Sequence, residues 1–511
     1  MIVAAGALTN REPNDIMRVV EDDMAKHGLS KSKFVAGWQC HKMLWWRVHE
    51  PDAPELVPDD ALQAVFNRGS NVGEVARTYV PGGVLIDFPH DQIDRKVQAT
   101  AEAIAAGAQA IYEASFIAAG VFVAVDILEK TGRGWNLIEV KSTTTAKPQH
   151  EPDVAIQTYV LEKAGLKIKR SELMHLNRAC RYPDLSNLFA RDDLTAAARA
   201  LLPQVPKEIK AQLRMLDGPM PDIAAGDHCT DPYECPFMAR CHPKLPPHHL
   251  STLYRLRKDK MAELEATGLH TIFDLPADYR LSAVASRQRT AVLANRLVVE
   301  AGLQSALAQW KMPIAFLDFE TIAPAIPVWN GCRPYDPVPV QFSCHVLDAD
   351  GSVRHAAWLA DGPGDPRKEL VSHVVDAVKG AKVILAWNAS FERRCLNDVK
   401  ACMPQFARKI DGVVKRIDDL LPVVRDNVYH PDFGGSFSIK AVLPALVPGM
   451  GYGGLEIAEG QVASDALESM LLGGDGMSTE QKAHLREALL HYCELDTLAM
   501  VKLNQKLHEL V

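Results

Sequence analysis

Three cysteines recur at an even spacing in one short segment, and they constrain how this chain of 511 residues can fold. Cys229, Cys235 and Cys241 lie in DHCTDPYECPFMARCHP, whose proline and polar residues predict irregular backbone. Thiolates grouped on irregular backbone can converge on one metal centre. A four-thiolate site needs one more ligand, and Cys40 in GWQCHKMLWW is the best candidate in the N-terminal half. We therefore expect a metal centre that joins the two ends of the first domain.

Other interpretations of these cysteines stay open at this point. The spacing differs from the short pairs that are usual in structural zinc sites, yet His228 and His242 stand beside two of the cysteines and could bind zinc. The three thiols could also be unrelated buried side chains. The other cysteines lie in apolar or helical contexts that predict small core residues: Cys180, Cys332, Cys344, Cys395, Cys402 and Cys493.

The order of apolar runs predicts an α/β chain of several domains. VFVAVDILEK and WNLIEVKST, separated by TGRG, predict a hairpin, and DVAIQTYVLEKAG has helical spacing. The proline-rich segment PKLPPHH at 243–249 predicts a linker. From Pro313 onward, strands alternate with helices, which indicates an α/β sheet domain, and 478–510 predicts one or two long helices. Another helix is predicted at Arg18–His27.

A first group of carboxylate and lysine side chains falls on the predicted hairpin. Asp126 ends one apolar run, and Glu139 and Lys141 lie two residues apart on the other, so their side chains share a face. Two carboxylates can bind Mg²⁺ or Mn²⁺, which lowers the pKa of a bound water and stabilises charge on a phosphate. The lysine can orient that water or neutralise the transition state. A solvated cross-strand ion pair would have the same residues, so the surrounding motifs must distinguish between an ion pair and a metal-binding site.

The order of the motifs supplies that context. The first cysteine, the D…E-x-K pattern, QTY in the next helix and the cysteine triplet resemble, in this order, the RecB-like PD-(D/E)xK nucleases with an iron–sulfur cluster, such as the CRISPR-associated nuclease of spacer acquisition and the nuclease subunit of AddAB. The resemblance covers about residues 30–245 and implies a 4Fe–4S cluster on the four cysteines. It also implies metal ligands at Asp126 and Glu139, a catalytic role for Lys141 and a supporting role for Gln157.

Two positions depart from the pattern of that family. The family often has a histidine in its first core helix, whereas the corresponding stretch RGSNVGEVAR has none. We take Glu74 in this stretch as the substitute metal ligand, although a solvated helix carboxylate would look the same. The family's Gln-x3-Tyr pattern falls on Gln157 and Leu161, with Tyr159 displaced.

Acidic residues end three further apolar elements near the C-terminus. They are Asp318 and Glu320 in IAFLDFET, Glu392 in ILAWNASFERR and Asp496 in HYCELDTLAM. Carboxylates at the ends of apolar elements cost folding free energy unless a positive charge binds them, and two divalent ions would provide that charge. His491 and Tyr492 shortly precede Asp496, and either could act on the attacking water as general base or orienter. Helix N-caps and surface carboxylates are the alternative interpretation.

These motifs resemble those of the DnaQ-like (DEDD) 3′–5′ exonucleases of the RNase H fold: D-x-E, N-x-x-F-D, and Y-x3-D or H-x4-D. In this chain the second motif reads N-A-S-F-E, and the third fits both versions. The resemblance implies metal ligands at Asp318, Glu320, Glu392 and Asp496. The arrangement as a whole resembles a bacterial family in which an iron–sulfur RecB-like nuclease is fused to a DnaQ-like domain.

The expected architecture therefore has three parts. A PD-(D/E)xK restriction-endonuclease-like domain with the four-cysteine cluster spans 1–245, a helical connector spans 246–310, and an RNase H-like (DnaQ-type) α/β domain spans 311–511. The connector contains YRLRKDK and loosely resembles a helix–hairpin–helix backbone binder. Its basic side chains either contact nucleic acid or form a solvated helix face: Arg255, Arg257, Lys258 and Lys260.

Charge and hydropathy limit the classes of function that this chain can have. No apolar run approaches the ~20 residues that span a bilayer, and no basic region precedes the apolar N-terminal run, so we expect a cytoplasmic protein without membrane contact. The net charge of −8 argues against a broad basic surface, but bound metal ions can attract phosphate locally. We expect a DNA nuclease dependent on Mg²⁺ or Mn²⁺, an exonuclease on single-stranded ends that acts in DNA repair or defence. An RNA exonuclease, or a nucleic-acid-binding scaffold with vestigial centres, is the alternative.

Overall fold

The structure of the chain, a computed structural model, describes residues 28–242 and 244–511, so the helix predicted at Arg18–His27 lies outside the described residues. The chain divides into two compact units, one over 1–243 with 325–327 and the other over 244–324 and 328–511. Both combine helices with β-sheet, which confirms the mixed α/β class. No helix in the described ranges is long and apolar enough to cross a membrane.

The first unit is built on a seven-stranded sheet with the order β2-β3-β4-β5-β6-β7, in which β1 also pairs with β4. Its strands are β1 (Leu29–Ser30), β2 (Val84–Leu85), β3 (Ala110–Ala118), β4 (Val121–Thr131), β5 (Gly134–Lys141), β6 (Ile168–Leu176) and β7 (Phe189–Asp193). Its helices are α1 (Lys31–Gln39), α2 (His41–His49), α3 (Asp60–Thr78), α4 (Ile93–Ala105), α5 (His150–Lys163), α6 (Thr195–Leu201), α7 (Val205–Leu216) and α8 (Met238–Cys241). The predicted hairpin and the helix after it are confirmed as β4, β5 and α5.

The sheet of the first unit opens beside the predicted nuclease residues. β5 pairs with β4 only along 127–131 of β4, whereas β1 pairs with Val121 and Phe122 of the same strand. Past the paired part, the Val140 amide donates to Asp126 Oδ2 at 2.6 Å, so a carboxylate satisfies an amide near the end of the strand pairing. The start of α1, directly after β1, and the end of β5 therefore lie at the same opening.

The second unit contains a five-stranded sheet of order β11-β10-β9-β12-β13 and the pair β14-β8. Its strands are β8 (Val298–Val299), β9 (Ile314–Ile322), β10 (Val338–Leu347), β11 (Val353–Leu359), β12 (Val383–Ala386), β13 (Ile417–Asp419) and β14 (Val428–Tyr429). Its helices are α9 (Lys258–Ala266), α10 (Ala283–Ala294), α11 (Leu303–Ala308), α12 (Arg367–Ala377), α13 (Ser390–Cys402), α14 (Ala407–Val414), α15 (Leu420–Asn427), α16 (Ile439–Leu446), α17 (Gly460–Leu472) and α18 (Thr479–Glu509).

Alternate residues of β9 enter two different cores, as the two-residue period of a strand requires. Phe316 belongs to the core that contains α18 residues such as Leu489, whereas Leu317 and Phe319 belong to the core lined by α12 and α13. Asp318 has the same parity as Phe316 and therefore faces the side of α18. The segment predicted as one or two helices is the single helix α18 of 31 residues, which begins at a capping box on Ser478.

Candidate active sites

The first unit gathers carboxylates and lysines where β4 and β5 separate. Glu139 is 1% exposed and accepts hydrogen bonds from Lys31 Nζ at 2.8 Å and 3.0 Å, one to each carboxylate oxygen. Lys141 Nζ lies 2.8 Å from Glu139 Oε1, and Gln157 Nε2 donates to Oε2 at 2.8 Å. With Asp126 beside Glu139, four of the residues proposed from the sequence for this site lie in one cluster: Asp126, Glu139, Lys141 and Gln157.

The two carboxyl groups of this cluster differ in charge. Burial and the neighbouring Glu139 raise the pKa of Asp126 to about 7, against the opposing effect of Lys31. Burial acts in the same direction on Glu139, but Lys141 and Lys31 outweigh it and hold the pKa of Glu139 far below its usual value. Glu139 therefore stays ionised while Asp126 titrates near neutral pH. A metal ion that binds both carboxylates must displace the Asp126 proton.

The structure does not bring Glu74 into this cluster. The buried face of α3 holds Val72 and Ala76, and Glu74 is rotated by roughly 200° from Val72 at 100° per residue, so it is exposed. Glu113 on β3 is instead the further acidic side chain that raises the pKa of Asp126. Glu113, and not Glu74, is thus the further carboxylate that acts on Asp126.

Two more members of the cluster were missed by reasoning from the sequence. Asp153 accepts from Lys141 Nζ at 2.7 Å and precedes Gln157 by four residues, so helical spacing could have revealed it. Lys31 has no local signal, because it reaches Glu139 only through the pairing of β1 with β4. The site therefore depends on a contact between residues that are 108 positions apart.

We predict that Lys31→Met raises the affinity of the first unit for Mn²⁺, because Lys31 competes for both oxygens of Glu139. Loss of one charged hydrogen bond, about 1.4 kcal/mol, corresponds to about a tenfold lower half-saturating Mn²⁺ concentration. The measurement is hydrolysis of labelled DNA against Mn²⁺ in an Asp318→Asn background. Lys33→Met is the matched control, since among the described residues Lys33 Nζ donates to the Gly28 carbonyl oxygen, at 3.4 Å, and not to Glu139. A loss of activity at saturating Mn²⁺ would contradict the prediction and place Lys31 at the reacting phosphate.

The four cysteines of the predicted metal centre lie together in the first unit. Burial is the main cause that raises the pKa of Cys235, and Cys40, Cys229 and Cys241 each raise it further. Cys235 belongs to an apolar cluster that includes Trp46, and Cys40 and Cys241 pack against the same cluster. In the described chain, no three of these sulfur atoms lie mutually within 4.8 Å.

The segment between the cysteines also reaches the carboxylate–lysine cluster through Tyr233. Burial raises the pKa of the Tyr233 phenol, and the charges of Asp153 and Glu139 act in the same direction, whereas Lys141 opposes them. The Gln39 amide holds this segment by donating to the carbonyl oxygens of His228 at 2.8 Å and Tyr233 at 2.7 Å. The backbone that carries Cys229 and Cys235 thus also positions a phenol beside the proposed nuclease residues.

The second unit groups four carboxylates between β9, α13 and α18, of which Asp318 is half-buried and the other three are buried. Cys493 Sγ donates to Asp318 Oδ2 at 3.6 Å, and Asp318, Glu320 and Cys493 have possible ligand atoms within 4.8 Å of one another. The Asp496 carboxylate accepts a hydrogen bond from the Tyr452 hydroxyl. The Tyr492 hydroxyl also donates to this carboxylate. Glu392, which is only 2% exposed, raises the pKa of Asp318. All four acidic residues proposed from the sequence are therefore close together.

The described protein provides no direct cationic partner for these carboxyl groups. Burial raises the pKa of all four carboxyl groups: to about 8 for Glu320 and Glu392, to about 6 for Asp496, and well above the usual value for Asp318. Lys440 lowers the pKa of Glu320 and Asp496, but its ion pair is with Glu459, at 2.9 Å. Glu392 Oε2 is buried without a hydrogen-bond partner among the described residues. The cluster therefore has the properties of a cation site.

Of the two residues proposed to act on water, only Tyr492 faces this group. Tyr492 is buried and lies one helical turn before Asp496, whereas His491 is exposed on α18. Burial and the neighbouring carboxylates raise the pKa of the Tyr492 phenol above its usual value, so it keeps its proton at neutral pH. Tyr492 can thus donate a hydrogen bond and orient a water, but it is poorly suited to be a general base.

The basic residues of the connector are exposed and partly neutralised by their neighbours. Arg257 pairs with Asp259, and Lys260 Nζ lies 2.6 Å from Glu263 Oε2. Arg255 lies over the Tyr254 ring at 5.2 Å, and Lys258 is exposed at the start of α9. These pairs fit the solvated helix face that the sequence left open, and contact with nucleic acid stays a prediction.

A comparison with known families gives one match. A family model described as a domain of unknown function (DUF2779) matches residues 315–438, which include Asp318, Glu320 and Glu392 but end before Asp496. No curated protein matches the chain. The chain thus contains, within its second unit, a region similar to the DUF2779 family.

Proposed function

We propose that this chain is a metal-dependent nuclease that degrades DNA from single-stranded ends. The observation that carries the proposal is the grouping of Asp318, Glu320, Glu392 and Asp496, the first half-buried and the others buried, with no ion pair to a cation among the described residues. An enclosed cluster of carboxylates is expensive unless it binds positive charge. Such groups are used in phosphodiester hydrolysis, where two divalent ions flank the reacting phosphate.

The donors of this group fit Mg²⁺ or Mn²⁺. Both ions prefer oxygen ligands, and the buried Glu392 Oε2, which has no partner in the described part of the chain, is a ligand atom available to such an ion. Asp318, Glu320, Glu392 and Asp496 would hold the ions, which activate water and stabilise charge on phosphate when bound. The longer side chain of Glu392 is accommodated on α13 within reach of Asp318, so glutamate at this position is compatible with the site.

The first unit supports the same proposal with a second cluster. Asp126 and Glu139 would hold a divalent ion. Lys141 contacts Glu139, so its ammonium group would lie beside that ion and could neutralise charge on a phosphate. Gln157 donates to Glu139 and thereby fixes the rotamer of this side chain. The cysteines Cys40, Cys229, Cys235 and Cys241 would hold an iron–sulfur cluster, and the spacing of their triplet differs from the short pairs that are usual in structural zinc sites. Such a cluster would fix the segment that carries Tyr233.

The proposal is tested by digestion of 5′- and 3′-labelled single strands, DNA and RNA, by the purified chain with Mg²⁺ or Mn²⁺. We expect stepwise shortening of DNA that EDTA abolishes, with separate contributions removed by Lys141→Ala and Asp318→Ala. Preferential shortening of RNA would instead favour the RNA exonuclease. Absence of hydrolysis with either ion would favour a nucleic-acid-binding scaffold, and full activity in the double variant would remove both site assignments.

We predict that Tyr492→Phe and His491→Ala have different effects on the second unit. Loss of the phenol hydroxyl removes a hydrogen bond next to Asp496 and should lower kcat by about 10- to 100-fold, equivalent to roughly 1.4–2.7 kcal/mol. His491→Ala should change kcat by less than about twofold, because the exposed imidazole makes no contact with the carboxylates in the described structure. The measurement is single-turnover hydrolysis in a Lys141→Ala background. The reverse ranking would show that the imidazole reaches the substrate.

A further inference from the structure

A second group of possible ligands lies in the second unit, apart from the four carboxylates. His345 on β10 and His355 on β11 are directly opposite each other on antiparallel strands, and their rings stack with centroids 4.3 Å apart. Glu494 on α18 faces this pair, with its Oε1 3.7 Å from His355 Nδ1. One nitrogen from each ring and one carboxylate oxygen lie within 4.8 Å of one another.

Two hydroxyl groups determine which ring nitrogens are available. If all four contacts of these hydroxyl groups are hydrogen bonds, the Thr497 hydroxyl donates to the Glu494 carbonyl oxygen at 3.1 Å, and the Ser343–Thr497 contact of 2.6 Å uses the Ser343 proton. Each hydroxyl has then used its only proton. His345 Nδ1, 2.8 Å from Thr497 Oγ1, and His355 Nε2, 3.0 Å from Ser343 Oγ, must therefore both be donors.

This assignment leaves a lone pair on His345 Nε2 and on His355 Nδ1 when the rings are neutral. A protein metal site has this arrangement, because one nitrogen binds the ion while the other donates to an oxygen that orients the ring. The distance of 3.7 Å between His355 Nδ1 and Glu494 Oε1 exceeds a hydrogen bond. It is close to the roughly 3.4 Å between two ligand atoms that share a zinc ion at about 2.0–2.2 Å.

We propose that His345, His355 and Glu494 form a binding site for a transition-metal dication of the zinc class. Two imidazoles and one carboxylate favour Zn²⁺ and similar ions, whereas Mg²⁺ prefers oxygen ligands alone. Glu494 and His355 are partly exposed, with side chains 44% and 29% accessible, so the ion can enter from solvent and retain an open coordination position. The site does not depend on the nuclease proposal, because it shares no ligand with the carboxylate group.

Helix α18 contributes side chains both to the four carboxylates and to the histidine group, from two different faces. Cys493 and Asp496 point to the carboxylates, while Glu494 and Thr497 point to the histidines, and the members of each pair are three residues apart. Residues three apart share a helix face, and the two pairs are offset by one residue, or about 100°. Ser343 pairs with Asp318 across β9 and β10, so the two groups are neighbours on one sheet.

The test uses the full chain with its cysteine centre loaded, and Zn²⁺ binding measured by equilibrium dialysis in excess Mg²⁺, which occupies the carboxylate sites. We expect one Zn²⁺ per chain that Mg²⁺ does not displace, with at least tenfold weaker binding in His355→Ala and Glu494→Gln. Ser343→Ala should weaken binding by about 10- to 100-fold, since it removes an orienting partner and no ligand. X-ray absorption of the bound zinc should show two imidazole ligands and no sulfur.

The matched control is His484→Ala. His484 Nε2 lies 2.8 Å from Glu456 Oε2, but this exposed pair belongs to no three-membered ligand group in the described chain. We expect its loss to leave zinc binding unchanged. If the wild type binds no Zn²⁺ below about 100 µM, if all variants bind it equally, or if the zinc has sulfur ligands, the site is overturned. Circular dichroism verifies the folding of each variant. If His355→Ala fails to fold, zinc binding by Glu494→Gln, on the half-exposed face of α18, tests the site instead.

Discussion

Asp318→Asn is expected to reduce metal-dependent hydrolysis by the second unit by about 10³-fold or more. The substitution removes an anionic ligand from a group that would hold two divalent ions. Charge stabilisation by such ions contributes several kcal/mol to the transition state, and each 1.36 kcal/mol is about tenfold in rate. The measurement is single-turnover hydrolysis of 3′-labelled single-stranded DNA with Mg²⁺, in a Lys141→Ala background that silences the first unit.

The same substitution should stabilise the metal-free protein. The folded state raises the pKa values of Asp496 to about 6 and of Glu320 and Glu392 to about 8, whereas exposed carboxyl groups titrate near pH 4. The folded protein therefore retains protons that the unfolded chain releases. Its free energy of unfolding should fall as the pH rises from about 4 to about 8, and Asp318→Asn should weaken this fall by removing one of the repelling charges.

The control for both effects is Asp361→Asn. Its carboxylate is exposed on the surface of the second unit and lies 2.9 Å from Arg486, so neither hydrolysis nor the pH dependence should change appreciably. Thermal unfolding in EDTA and in Mg²⁺ across this pH range provides the second readout. An Asp318→Asn protein that is less stable than the wild type in EDTA, or that hydrolyses DNA at the wild-type rate, contradicts the assignment of this carboxylate.

Cys235→Ser is the second substitution with a large expected effect, on the first unit. It should remove the brown colour of an iron–sulfur cluster and lower the stability of this unit by about 5 kcal/mol or more, because a structural metal centre contributes its binding energy to folding. For a unit of this size the loss corresponds to a melting temperature lower by about 10–20 °C. Visible absorbance, iron content and thermal unfolding are the measurements.

Cys180→Ser is the matched control, because Cys180 is buried in the same unit but donates to the Asp184 carbonyl oxygen, at 3.5 Å, away from the cysteine group. Its colour and iron content should equal those of the wild type. Because Tyr233 lies in the same segment as Cys235, the Cys235→Ser protein should also lose hydrolysis that depends on Lys141. A colourless wild type that contains zinc would overturn the iron–sulfur assignment.

Local patterns predicted the elements that carry these sites. The alternation on either side of TGRG predicted β4 and β5, and the spacing of DVAIQTYVLEKAG predicted α5, because both periods reflect burial of one face. The same periods explain why Glu139 and Lys141 act together and why Tyr492 and Asp496 share a helix face. The prediction that fails concerns a side chain whose role depends on distant partners: Glu74 is exposed, and Glu113 is the further carboxylate that acts on Asp126.

The sequence by itself determined the chemical types of the sites: carboxylates at the ends of apolar strands, a lysine two residues from a glutamate, and cysteines on irregular backbone. Only the tertiary structure decided which of these side chains meet. Lys31 reaches Glu139 because β1 pairs with β4, and His345 meets His355 and Glu494 because β10, β11 and α18 converge. The physical reason is that periodicity reports which face of an element is buried, whereas the partner across that face is set by strand order and helix packing.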